Sequence, residues 1–128
     1  MDLSVYLKAL GDPTRLTIFQ QILDRRHCTR SLSIKLGISE SAVSQHLKIL
    51  RDADMVYSVK HGYHTHHLPK QEALDDLSAA FDQMCQASKA LDRNPKVCQC
   101  EFRQCAPAQY ISPCHSEEDF PSLRASFL

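Results

Sequence analysis

The sequence predicts a mainly α-helical fold with one small β-hairpin (an α+β chain), and three observations predict it. Over the first fifty residues, apolar side chains recur at helical spacing in several short segments, each opened or closed by a capping residue. The stretch MVYSVKHGYHTHHL then places two β-prone runs around a glycine, the pattern of a hairpin. A longer helical pattern follows, with a single apolar stripe.

In chain order, Asp2–Leu10 is predicted as a short amphipathic helix with Leu3, Tyr6, Leu7 and Leu10 inward. In GDPTRLTIFQQIL, Asp12 is a good N-cap, and Pro13 sits at the first helical position, where a missing N–H costs nothing. Leu16, Phe19 and Leu23 give the helical spacing there, joined by Ile18 and Ile22. Thr29 is expected to cap a third helix, roughly Arg30–Leu36, which ends at Gly37 because a helix C-terminus favours a left-handed residue. Ser39 offers an N-cap oxygen to a fourth helix running to about Ala53.

On that fourth helix Val43, Leu47 and Leu50 form one stripe, while Ser41, Ser44, Gln45, His46 and Lys48 lie on other faces. Such short polar and amide side chains with one cation suit hydrogen bonding to base edges and phosphates. Helix, Gly-containing turn and polar-faced helix make a helix-turn-helix, whose second helix enters the DNA major groove. The hairpin, Val56–Lys60 and Tyr63–Leu68 around His61–Gly62, follows it directly and reads as a wing. Pro69 ends the second strand. A helix over about Lys70–Leu91 then carries Leu74, Leu77, Phe81, Met84 and Leu91 on one stripe. It is too long for so small a core to bury, so it is expected to pair with its copy in a homodimer through the terminal helices, giving the two-fold symmetry of a palindromic operator.

The 128 residues carry no net formal charge, yet the charge is unevenly spread. Residues 1–68 hold nine Lys/Arg and six Asp/Glu (+3), whereas residues 69–128 hold six and nine (−3). The helix-turn-helix lies in the basic half, as a DNA-binding surface requires. There is no run of eighteen apolar residues and no charged leader followed by an apolar stretch, so a soluble, unexported, cytoplasmic protein without a membrane partner is expected. Six cysteines at irregular spacing in such a chain read as metal-binding or redox-active thiols before a disulfide framework.

The segments LKALGDPTRLTIFQQIL and LGISESAVSQHLKILRDADMV, and the wing with Gly62, resemble the arsenic-repressor (ArsR/SmtB) family of winged helix-turn-helix metal-sensing repressors. The resemblance spans roughly residues 3–91. It implies a homodimer that an inducer ion removes from double-stranded operator DNA; no βαβ unit surrounds the cysteines and no Ser/His/Asp set or Gly-rich phosphate loop stands in the sequence, so no enzyme is expected, nor another protein partner. By position it implies that Ser41, Ser44, Gln45, His46 and Lys48 read the major groove. Lys60, His61 and Tyr63 touch the backbone or minor groove on the same basis, and Leu3, Tyr6, Leu74, Leu77, Phe81 and Met84 form the dimer interface.

The resemblance leaves the inducer open. Arsenic sensors like the family's founder carry Cys-Val-Cys at the start of the third helix, where this chain has His27-Cys28-Thr29-Arg30. One thiol and a cation make a poor soft-metal site. The family's zinc sensors use histidines on the last helix, which here offers Glu72, Asp75, Asp76 and Asp82 but no histidine.

From Asp92 onward the helical period dissolves into a proline-containing, partly disordered tail, so residues 1–91 are expected to form the DNA-binding and dimerisation domain and 92–128 a cysteine-rich, metalloid-sensing tail. Cys98, Cys100 and Cys105 put three thiols within eight residues, with Cys114 nearby. Three thiolates suit the trigonal pyramid of As(III) or Sb(III), and the Cys-x-Cys-x4-Cys pattern resembles the C-terminal clusters of some arsenic sensors of the family. Cd(II) or Pb(II) on the same thiolates, a structural Zn(II) staple that includes Cys114, and a redox switch are the alternatives, with Cys28 a further candidate ligand. Cys28 and Cys85 otherwise read as small buried apolar side chains. His61, His64, His66 and His67 read as DNA contacts or strand-pairing residues before metal ligands, although His64 and His66 share a strand face.

Overall fold

A computed structural model describes residues 2–96. The elements run α1 (Leu3–Leu10), α2 (Pro13–Asp24), β1 (His27–Cys28), α3 (Thr29–Leu36), α4 (Glu40–Asp52), β2 (Val56–His61), β3 (His64–Pro69) and α5 (Gln71–Ala90). Every expected element is present, and β1 is an addition. The fold is that of a winged helix-turn-helix, with a three-stranded antiparallel sheet in the order β1-β3-β2. No helix among the described residues is long and apolar enough to cross a membrane.

Local chemistry explains the helix boundaries. Asp2 caps α1 through the amide of Ser4. The Asp12 carboxylate accepts from the amide of Arg15 at 3.0 Å and caps α2, with Pro13 in its first turn. The Arg15 side chain turns back, its Nε donating to the Ala9 carbonyl at 2.7 Å, and so satisfies an end of α1 that would otherwise lack a partner. The segment Gly11–Arg15 is therefore a double cap joining two helices. Gly37 takes φ 69°, closing α3 with its amide on the Ser33 carbonyl at 2.9 Å. Ser39 Oγ accepts from the Ala42 amide at 3.1 Å and opens α4. The cap of α3 is Cys28, one residue earlier than expected, because β1 pairing holds Cys28 extended and aims its Sγ at the Ser31 amide.

The core collects Tyr6, Ile18, Phe19, Ile22, Leu32, Val43, Leu47, Leu50, Met55 and Val56, closed by Ala73 and Leu77 of α5. The expected inward faces need correction in the first two helices. In α1 the buried residues are Tyr6 and Ala9, while Leu7 is exposed and Leu3 and Leu10 are partly buried. In α2 the core takes Ile18, Phe19 and Ile22, leaving Leu16 and Leu23 exposed. Both helices carry apolar residues over more than half their circumference, so the periodicity alone did not fix which edge faces inward.

The hairpin also differs in register. His61 pairs with His64, so the two loop residues are Gly62 and Tyr63. Gly62 has φ 64° and Tyr63 does not have positive φ, which puts glycine at the first central position as a type II′ turn requires. At the other end, Lys70 donates its amide to the Met55 carbonyl at 2.8 Å and its ammonium to Asp54, joining the hairpin's exit to the end of α4. Residues 87–96 belong to a unit distinct from that of residues 2–86. There the Arg93 guanidinium caps the last turn of α5, donating to the Ser88 carbonyl at 2.7 Å.

Candidate nucleic-acid interface

The apolar stripe of α4, Val43, Leu47 and Leu50, is fully buried, which fixes the rotation of the helix and turns its opposite face outward. Ser41, Ser44, Gln45 and Lys48 are exposed on that outer side. Arg51, one turn beyond Lys48, is exposed as well. It was missed in the sequence although its i+3 spacing from Lys48 was readable. The Arg51 guanidinium lies 3.4 Å from Ser58 Oγ, so it also links α4 to the wing.

His46 departs from the other four. It is half-buried, and its Nδ1 is enclosed with no hydrogen-bond partner among the described residues. It lies close enough to the α2 cap to add to the effects holding the Asp12 carboxyl below its usual range; the largest of these is the Arg15 amide. Only part of its ring is therefore open to a nucleic acid.

In the wing, Lys60, His61 and Tyr63 are all exposed, and Tyr63 at the turn is completely so. Ser58, Lys60, Thr65 and His67 share one face of the β2–β3 ladder. His67 is 2% exposed, with Nδ1 2.9 Å from Ser58 Oγ and Nε2 3.0 Å from Thr29 Oγ1. Burial, aided by Arg51 and His66, pushes its pKa down to about 4. His27, its neighbour across β1, is also buried and pushed down, by burial first and then by Lys35 and Arg25. His67 thus ties β2 to α3, and His27 meets Ser31 of α3 through Nδ1, so the two buried rings join the sheet to that helix.

Of the expected dimer residues, Tyr6 and Leu77 are consumed by the chain's own core. The Tyr6 hydroxyl donates to Asp76 at 3.0 Å, tying α1 to α5. Leu3 and Leu74 are partly buried, while Phe81 and Met84 stand 47% and 51% exposed. An open groove lined by Leu3, Tyr6, Asp76, Ala79, Ala80 and Gln83 runs between α1 and α5. Cys85 is exposed on α5 and Cys28 is partly exposed, so neither is the small buried side chain the sequence suggested. Cys98, Cys100, Cys105 and Cys114 lie outside the described residues. Among the described residues no three His, Cys, Asp or Glu side chains converge on a common point.

A polar-faced helix exposed beside a basic-tipped hairpin defines a winged-helix DNA-binding protein. The sequence profile of the bacterial regulatory protein arsR family matches residues 12–58. Nodulation protein NolR of Rhizobium meliloti is 29% identical over 93 residues, 72% of this chain and 76% of its own length. The HTH-type transcriptional repressor SmtB of Mycobacterium tuberculosis is 38% identical over 56 residues, 44% of this chain and 42% of its own. The solved structure of reduced HlyU from Vibrio cholerae N16961 superposes with a TM-score of 0.53 at 31% identity, covering 64% of this chain and 87% of that one. The chain belongs to the arsR family of DNA-binding transcriptional regulators, which are not enzymes. Regulators of this family bind operator DNA, typically as dimers.

Proposed function

We propose that this protein is a cytoplasmic homodimeric repressor that leaves its operator when trivalent arsenic or antimony binds the thiols of Cys98, Cys100 and Cys105. The observation that carries the inducer is the clustering of three thiols, Cys98, Cys100 and Cys105, within eight residues. Arsenous acid condenses with three thiols, forming three As–S bonds and releasing three waters, and its lone pair completes a trigonal pyramid. SmtB, a repressor by name, supports the direction of regulation.

On DNA, Ser41, Ser44, Gln45 and Lys48 enter the major groove, while Lys60, His61 and Tyr63 of the wing reach the backbone or minor groove. The two copies of α4 in a dimer span successive half-sites about one helical turn apart. Inducer binding orders the tail and biases the dimer away from that spacing. The coupling is reciprocal, and a typical coupling of about 1–3 kcal/mol corresponds to roughly 5–150-fold in either affinity.

The test is a fluorescence-anisotropy titration of the full chain on its own promoter DNA, under reductant, with and without stoichiometric As(III). Release by As(III) that is lost in Cys98→Ser, Cys100→Ser and Cys105→Ser, and kept in Cys28→Ser, is the expected result. Unchanged binding with As(III) overturns the metalloid reading and turns attention to Cd(II), Pb(II) and oxidants. DNA binding that requires Zn(II) makes the tail thiols, Cys114 included, a structural staple.

A further inference from the structure

We propose that the outer face of the wing binds a divalent transition-metal ion of the Zn(II) or Co(II) type through the imidazoles of His61, His64 and His66. The ladder itself brings these residues together. His61 ends β2 directly opposite His64, and Val59 lies opposite His66, so the alternation of strand faces puts all three imidazoles on one side of the hairpin. Directly opposed Cβ atoms in an antiparallel pair lie about 4.5–5.5 Å apart, and residues two apart on a strand about 6.6 Å. Both separations are within the reach of imidazoles that share an ion.

Two of the rings already face each other. His61 and His66 stack with centroids 5.8 Å apart and planes inclined by 22°. None of the three rings has a hydrogen-bond partner among the described residues, in contrast to His67, whose two ring nitrogens meet Ser58 and Thr29 on the opposite face. His61 and His64 are exposed and His66 is partly so, which leaves their rings free to turn onto one point. The backbone beneath them is held by the tight turn at Gly62 and by six cross-strand pairs.

The donor chemistry selects the ion. Neutral imidazoles without a carboxylate suit Zn(II), Co(II), Ni(II) and Cu(II) and reject Mg(II) and Ca(II), which demand oxygen. Three nitrogen ligands leave further positions to water. Cys28 stands opposite His66 on β1, but its sulfur already caps α3, so it neighbours the site without belonging to it. Because the three ligands are neutral, both positive charges of the ion remain at the wing tip, on the face opposite Lys60. The ion therefore strengthens attraction to DNA phosphates, the opposite sign from the tail's inducer.

The site is separable from the tail. Co(II) is titrated into the full chain carrying Cys98→Ser, Cys100→Ser, Cys105→Ser and Cys114→Ser, with ligand-field absorption as the readout. Binding of Co(II) with a spectrum free of sulfur-to-cobalt charge transfer is expected. Its affinity should fall by at least about tenfold in His61→Gln and in His66→Gln, and hold in Cys28→Ser. These histidines lie outside the core, and circular dichroism melts verify that the variants fold. Binding indifferent to the histidine variants, or no binding below millimolar Co(II), overturns the wing site whatever the response to As(III). A charge-transfer band lost in Cys28→Ser overturns it too, by making Cys28 the ligand.

Discussion

The Thr29 hydroxyl lies 3.0 Å from Nε2 of His67, pinning the wing to the first turn of α3, the helix before the recognition helix. The ring's other nitrogen meets Ser58 on β2, so one buried imidazole joins three elements. Burial pushes its pKa from 6.5 down to about 4, which means that the native state holds it neutral while the unfolded chain takes up a proton. The unfolded state then binds more protons between those two values, so stability is full above about pH 6.5 and is lost as pH falls towards 4. In thermal melts of the metal-free protein with chelator present, the midpoint should fall across that window. His67→Gln, which cannot titrate, should flatten part of the fall; an equal slope in the variant assigns the acid sensitivity to other groups.

In the DNA complex proposed above, the exposed face of α4 divides base reading by Gln45 from phosphate attraction by Lys48. Gln45→Ala should weaken operator binding by about 1–3 kcal/mol, roughly 5–150-fold, and relax discrimination at one base position. Lys48→Ala should weaken operator and unrelated DNA alike and lower the salt-dependence slope by about one. Both side chains are exposed, so melting temperatures should stay near that of the parent protein. Anisotropy titrations at several salt concentrations check this. Gln45→Ala acting equally on all sequences would remove it from base readout.

How far the sequence reveals this molecule depends on whether a feature is local. Asp12 with Pro13, Gly37 and Ser39 each act on groups within a few residues of themselves, and each stands where its type predicts. The role of Arg15 on the Ala9 carbonyl and the burial of His67 depend on chain segments brought together only by folding. Strand β1 is two residues long and exists because β3 lies beside it, so it had no periodicity of its own. The exposed side of α4 was readable since Val43, Leu47 and Leu50 leave a single solution for its rotation, whereas His46, at the edge of that stripe, was not. The tail thiols were legible as a spacing only, and they lie outside the described residues.

The turn of the helix-turn-helix offers a test of backbone against side chain. Gly37 holds φ 69°, and a Cβ added there meets nothing within 4 Å, so substitution brings backbone strain without a collision. Gly37→Ala should therefore destabilise by about 1–2 kcal/mol, the cost of a left-handed conformation for an ordinary residue. Gly37→Asn should lose less, because asparagine tolerates that region. Urea unfolding with equal m-values for the three proteins measures the difference. Equal losses for alanine and asparagine would point to a contact that the glycine makes elsewhere.

Phe81 and Met84 stand about half exposed on α5, on the same stripe as Leu77, which the core has already taken. Two large apolar side chains side by side on an exposed helix face, next to the open groove against α1, are what a second copy would cover in the homodimer proposed above. Within one chain, Phe81→Asp or Met84→Asp changes little, since exposed substitutions typically shift stability by less than about 0.5 kcal/mol. Across an interface the same carboxylate would be buried without a partner and would oppose association. Sedimentation velocity should therefore show a dimer for the parent chain and a monomer for each variant, with helical content retained. Operator affinity should fall with assembly, as two half-sites no longer bind one particle. A variant that stays dimeric with full operator affinity would move the interface away from this face of α5.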